Sequence, residues 1–319
     1  MKPEVTFGKL LAGATPQAGG PSAAPTPDAS AIQVEKIRDR LYILRGGGRS
    51  VMIAGVTVPS AGSTTAFVTA KGVVLVDTKL PGWGKPILEK LKEITDKPVV
   101  TVINTHTHMD HVGGNVEFPD SVEIVAHENT AKLMREMRPV TGGPAQPNLF
   151  AENGGRGLPT RTFSDHLTIG SGEDRIEIHY FGRAHTGGDA WVRIPALGVL
   201  ICGDAFGYKA VPPLDANNGA SGVEYPKTLS KVLAAFPEVQ TLVTGHYPTT
   251  LKREDLETHR DFMDEFVRAI QTARKSGRTV EEFAREWRIP DRFAEKGYVS
   301  VGHLRPISAD VEVVWNEMP

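Results

Sequence analysis

The chain has 319 residues, 40% of them apolar and 23% charged, enough apolar material for one large core or two small ones. Its 36 Lys and Arg against 38 Asp and Glu leave a formal charge of −2, too balanced to grip nucleic acid or an anionic bilayer, and no apolar run approaches the ~20 residues of a membrane span. A single cysteine excludes an internal disulfide framework and a thiolate-rich zinc site, so any metal must be held by His and carboxylate.

Residues 1–30 read as a flexible lead-in. Between Leu11 and Ser30, 17 of 20 positions are Gly, Ala, Ser, Thr or Pro, too little apolar material to offset ordering entropy. Pro3 and Glu4 follow Lys2 at once, and Leu10-Leu11-Ala12 is too short for the apolar part of an export signal. A soluble, cytoplasmic protein is expected, periplasmic or secreted if the start is misplaced. A catalytic domain is expected over 31–250, with a helical extension packed on it over 251–319.

In chain order, a strand over 41–44 closes at Gly46-Gly47-Gly48, and strands over 65–69 and 73–76 flank a Lys71-Gly72 turn. Ile87, Leu88, Leu91 and Ile94 recur at helical spacing over 84–95, and 99–103 reads as a buried strand. Strand, helix and strand in that order make a crossover between parallel strands. A helix is expected over 129–137, then a long Gly/Pro-rich loop over 139–159 at a pocket mouth. Strands follow over 175–181, 190–194 and 199–202, a helix over 226–236, a strand over 241–244, and helix from 254 to 287.

The chemistry sits in Asn104-Thr105-His106-Thr107-His108-Met109-Asp110-His111, directly after the 99–103 strand. A loop leaving a strand end can turn His106 and His108 toward one point and Asp110 and His111 toward a neighbouring one. Imidazole and carboxylate without thiolate suit Zn²⁺, Fe²⁺ or Mn²⁺. Four such ligands are too many for one catalytic ion that keeps an open position, and too few for two. Further candidates lie downstream: His185 in Arg183-Ala184-His185-Thr186-Gly187-Gly188, Asp204 in Cys202-Gly203-Asp204, and His246 in Gly245-His246-Tyr247. Each stands just past a short apolar strand, where α/β sites gather.

The early aspartate Asp77, the His-x-His-x-Asp-His run, then His185, Asp204 and His246 in that order resemble the metallo-β-lactamase-fold hydrolase superfamily. The resemblance runs from about Thr65 to His246. It implies an αββα sandwich, two mixed β-sheets flanked by helices, with two Zn²⁺ (or Fe or Mn) at one edge. By position, His106, His108 and His185 would hold the first ion, Asp110, His111 and His246 the second, and Asp204 would bridge both. A bridging hydroxide would then attack an ester, thioester, lactone or related acyl bond, with Asp110 orienting it and passing on its proton. Asp77 would accept an N–H from a ligand imidazole.

The name-giving β-lactamases carry Cys or Ser where this chain has Asp204, which points to the wider set of acyl hydrolases. Asp189 stands where glyoxalase II-like members carry a second histidine, and flavo-diiron relatives have Glu in place of His108. A mononuclear iron sulfur dioxygenase using His106, His108, His185 and Asp204 is one alternative; a β-lactam hydrolase is another. The expected partner is a small-molecule substrate, met through Tyr208, Asn217 or its neighbour Asn218, and Tyr247. His127, His166, His179, His259 and His303 read as ordinary structural histidines, and Cys202 as a small buried apolar residue. Oligomeric state is not legible.

Overall fold

A computed structural model describes residues 27–53, 56–301 and 305–318. Most of the lead-in and His303 therefore lie outside the described residues.

The chain enters through a short 3-10 turn, Ala29–Ala31, capped by the Asp28 carboxylate on Ser30 N. Strands β1 (Ile32–Arg38) and β2 (Leu41–Gly46) form a hairpin, followed by the small separate hairpin β3 (Ser50–Ile53) and β4 (Val56–Pro59). Then come β5 (Thr64–Val68), β6 (Val73–Val76), α1 (Gly84–Leu91), β7 (Val99–Ile103) and the single turn α2 (Met109–Val112). The first half closes with β8 (Glu123–His127), α3 (Glu128–Glu136), α4 (Leu149–Glu152) and β9 (Arg161–Phe163). The second half holds β10 (His166–Ile169), β11 (Ile176–Tyr180), β12 (Ala190–Ile194), β13 (Val199–Gly203), α5 (Tyr225–Ala235) and β14 (Thr241–Thr244). Helices α6 (Arg253–Lys275), α7 (Val280–Glu286), α8 (Asp291–Ala294) and α9 (Ile307–Asn316) end the chain.

The strands make two mixed sheets, ordered β1-β2-β5-β6-β7-β8-β9 and β10-β11-β12-β13-β14. In the first, β6 through β9 run parallel and the rest antiparallel; in the second, only β13 and β14 run parallel. The period of two along a strand sorts the side chains. In β6, Val74 and Val76 join Ile103 and Val125 against Ile178, Val192, Ile201 and Val243 of the facing sheet. Val73 and Leu75 point outward, onto Ile87 and Leu91 of α1. On the other outer face, Trp191, Leu200 and Leu242 meet Leu229 and Val232 of α5 and Phe262 and Phe266 of α6. The layers are helix, sheet, sheet, helix, as expected. Each of these fully buried aliphatic side chains contributes about 1.5–3 kcal/mol.

Three details differ from the sequence expectation. The stretch 254–287 is not one helix: Gly277, at φ +78°, stops α6, and Thr279 restarts the chain with a capping box to Glu282. The 139–159 loop contains α4, whose first turn is capped by Asn148 Oδ1 on Ala151 N. Strands β1, β3, β4, β8, β9 and β10 are additional to those expected. Among the described residues no helix is long and apolar enough to cross a membrane.

Candidate metal centre

β7, β13 and β14 each end at the same rim of the sandwich, and each delivers side chains there. The chain leaves β7 through Asn104-Thr105, places His106 and His108, and folds into α2 so that Asp110 and His111 turn inward beside them. His185 comes from the β11–β12 connection, Asp204 follows Gly203 at the end of β13, and His246 follows β14.

Seven residues converge in three overlapping groups: His106, His108 and His185; His106, His111 and Asp204; and Asp110, His111 and His246. Within each group the candidate ligand atoms lie within 4.8 Å of one another. His185 Nε2 stands 3.0 Å from His108 Nδ1. His246 Nε2 stands 3.1 Å from Asp110 Oδ2, 3.2 Å from His111 Nε2 and 3.3 Å from Asp204 Oδ2. The same Asp204 oxygen is 3.8 Å from His185 Nε2, so this carboxylate lies between the first and third groups. His106 Nε2 and Asp204 Oδ1 are buried here with no hydrogen-bond partner. Orphaned buried acceptors of this kind are costly, and a cation among the groups would satisfy both. The donor set fits a borderline divalent ion.

The outward-facing ring nitrogens of His106, His108, His111 and His185 are anchored, whereas His246 Nδ1 is buried with no hydrogen-bond partner. Asp77 Oδ2 accepts from His111 Nδ1 (2.7 Å) and from Thr105 Oγ1 (2.7 Å), while Asp77 Oδ1 accepts from Thr105 N. Thr105 Oγ1 in turn accepts from His106 Nδ1 at 3.0 Å, so one carboxylate orients two imidazoles. His185 Nδ1 donates to Pro213 O (2.6 Å), and His108 Nε2 donates to Asp215 Oδ2 (2.7 Å). These bonds fix the tautomers and leave His106 Nε2, His108 Nδ1, His111 Nε2 and His185 Nε2 as lone pairs facing the centre.

Charge divides the site in two. Burial, reinforced by neighbouring imidazoles, pushes His106 well below the usual histidine range and His185 down to about 4. In the other half burial opposes charge but loses to the carboxylates: Asp204 and Asp110 hold His246 up at about 9. Asp110, also against the cost of burial, is held down to about 2 by His111 and His246. Glycine makes this crowding feasible. A Cβ on Gly62 would lie 2.6 Å from His111 Cε1, and one on Gly245 would run into Asp204 Oδ1.

The profile of the metallo-beta-lactamase superfamily matches residues 57–258. The chain belongs to that superfamily. Metallo-beta-lactamase IND-1 of Chryseobacterium indologenes is 25% identical over 184 residues, 56% of this chain and 69% of its own length. Metallo-beta-lactamase type 2 of Bacillus cereus is 27% identical over 199 residues, 60% of this chain and 69% of its own. A solved metallo-beta-lactamase from Pontibacter korlensis superposes with a TM-score of 0.57 at 23% identity, covering 73% of this chain and 99% of that one, a likeness of fold.

The remaining candidates fall at different distances from this rim. Tyr208 stacks on His246, ring centroids 5.1 Å apart, and burial beside Asp204 and Asp110 pushes its hydroxyl far up. Asn217 points elsewhere: its amide donates to Pro139 O. Asn218 is buried, donating to Asp215 Oδ2 at 2.6 Å, and lines the pocket. The Tyr247 ring packs beside Lys209 and the C-terminal helices. Cys202 is buried, its thiol pushed up by that burial. His127 caps α3, and His259 is enclosed by Phe206 and Tyr298; His166 and His179 stack across β10 and β11.

Sequence reasoning missed four residues at the rim. Asp215 and Pro213 hold His108 and His185 from more than twenty residues away in sequence. Buried Asp189 accepts from Thr186 N and Oγ1, which fixes the His185 loop, and burial pushes it up to about 7. Lys79 is fully buried and donates to Gly62 O at 2.7 Å; burial pulls it down to about 7. Only the Asp-Ala-Asn-Asn-Gly turn at 215–219 carries a signal, and it reads as a turn.

Proposed function

We propose that this superfamily member is a dinuclear zinc hydrolase that cuts an ester, thioester, lactone or related acyl bond in a small molecule. One observation carries the reading: seven buried or half-buried His and Asp side chains from both sheets form three overlapping groups, with the Asp204 carboxylate lying between His185 and His246. His106, His108 and His185 would hold one ion, Asp110, His111 and His246 the other, and Asp204 both. Two such ions supply a Lewis acid and a water acidic enough to ionise near neutral pH.

The protein's own part follows from the geometry. Asp110, a quarter exposed, lines an opening of about 320 Å³ with His108, and it is the carboxylate best placed to take a proton from the attacking water at Oδ2. Tyr208, beside His246, offers a hydroxyl to a substrate oxygen. Leu80, Met109, Met137 and Val140 give the opening an apolar wall, which favours a compact apolar acyl group, and the 139–159 loop forms part of its rim.

Metal content of protein purified without added metal tests the reading, together with turnover on a panel of esters, thioesters, lactones and lactams. Close to two zinc ions per chain and hydrolysis of a panel member are expected. Asp110→Ala should fold and bind at least one ion while losing about 10²–10⁴-fold in turnover. One iron per chain with persulfide-dependent oxygen uptake would replace the hydrolase with a sulfur dioxygenase.

A further inference from the structure

Helix α9 lies at the far end of the chain from the His106–His111 run, yet it reaches the metal rim through the backbone of a single residue, Leu214. Asp310 is buried, and its Oδ1 accepts from Leu214 N at 2.8 Å. Arg305, just before the helix, donates from Nη2 to Leu214 O at 3.3 Å and stands 3.4 Å from Asp310. The pair thus grips both the N–H and the C=O of one residue, whose own side chain is fully buried in the cluster containing Val311 and Val314.

The two neighbours of Leu214 hold two imidazoles. Pro213 O accepts from His185 Nδ1, and Asp215 Oδ2 from His108 Nε2. The other nitrogens of these rings are 3.0 Å apart, in the gap where an ion would sit. A displacement of the 213–215 segment therefore turns both rings at once. We infer that the Arg305–Asp310 pair is a positioning clamp for the His106–His108–His185 ion, set by α9 through Leu214. The inference rests on the metal-centre reading above. Burial pushes Asp310 up to about 6 even against Arg305 and the Leu214 N–H, a cost an apolar anchor would not incur. Glu317 provides an internal comparison. Its Oε2 accepts from Val223 N at 2.9 Å, tying α9 to the same half of the fold but away from residues 213–215.

The test is a chelator-competition zinc titration on a His246→Ala background, which disables the second group and leaves the His106–His108–His185 triad. Adding Asp310→Ala should weaken zinc binding about tenfold, the lower end of losses seen when a partner behind a ligand is removed. Adding Glu317→Ala should leave it unchanged despite a comparable fall in melting temperature. Arg305→Gln, which keeps the Asp310–Leu214 bond, should shift affinity in the same direction by less, and it serves if Asp310→Ala does not fold. Unchanged affinity in the Asp310 and Arg305 variants, or an equal loss with Glu317→Ala, would overturn the clamp. A background that binds no zinc would overturn the metal centre itself.

Discussion

Asp77 is a non-glycine residue at φ +62°, and its carboxylate faces only donors: Thr105 N, Thr105 Oγ1 and His111 Nδ1. Asparagine tolerates the left-handed backbone but brings an NH2 to a place with no free acceptor. Asp77→Asn is therefore expected to lower zinc affinity by about 10–100-fold and to reduce stability, read by zinc titration and thermal melting. Wild-type affinity in a folded Asp77→Asn protein would remove the anchoring role. At this scale the candidate ligands were legible because four of them crowd into six positions and the others follow strands in order. Their partners were not. His108 and Asp215 are 107 residues apart, and Pro213 contributes a carbonyl, which no residue type signals.

Helix α6 carries a titratable group in an apolar setting. His259 is fully buried, stacked on Phe206 with ring centroids 4.3 Å apart, and burial pushes it down to about 3. The unfolded chain takes up this proton below about 6.5, whereas the folded one does not until about 3. The stability that follows is present above pH 6.5 and falls as pH drops toward 3, by about 2 kcal/mol at pH 5. His259→Leu should flatten the acid limb relative to wild type, seen as a smaller difference between urea midpoints at pH 7.5 and pH 5. Equal differences in the two proteins would show that the imidazole titrates freely. Continuous apolar runs such as Val73–Val76 and residues 199–202 announced themselves as strands because both of their faces are covered. β9 and β10 are short and half-exposed at sheet edges, so their composition resembles loop. The break at Gly277 was passed over because apolar spacing resumes at Phe283 beyond it.

At the scale of the whole molecule, ions held by the seven inward-facing groups would stabilise the native state with the logarithm of free ion concentration over the dissociation constant. A hundredfold excess is worth about 2.7 kcal/mol for each ion. Stripping the protein with a chelator should lower its thermal midpoint by several degrees, and zinc should restore it; a midpoint indifferent to both would place the ions outside the folding equilibrium. The αββα order was readable from the succession of strand, helix and strand together with the resemblance carried by the histidines. The contact of α9 with residues 213–215 was not, since it joins backbone and side chains about ninety residues apart through tertiary packing alone.

No single sheet owns the rim. His106, His108, Asp110 and His111 come from the seven-stranded sheet, while His185, Asp204 and His246 come from the five-stranded one. The exposed residues Ser164 and Asp165 link β9 to β10, the only covalent crossing between those two sheets among the described residues. A chain severed there would yield two fragments, each with an incomplete set of donors and one uncovered apolar face. Mixed together they should recombine into a nicked, active molecule, and zinc should tighten the union. The ions would then behave as a rivet whose removal lets the two plates slip.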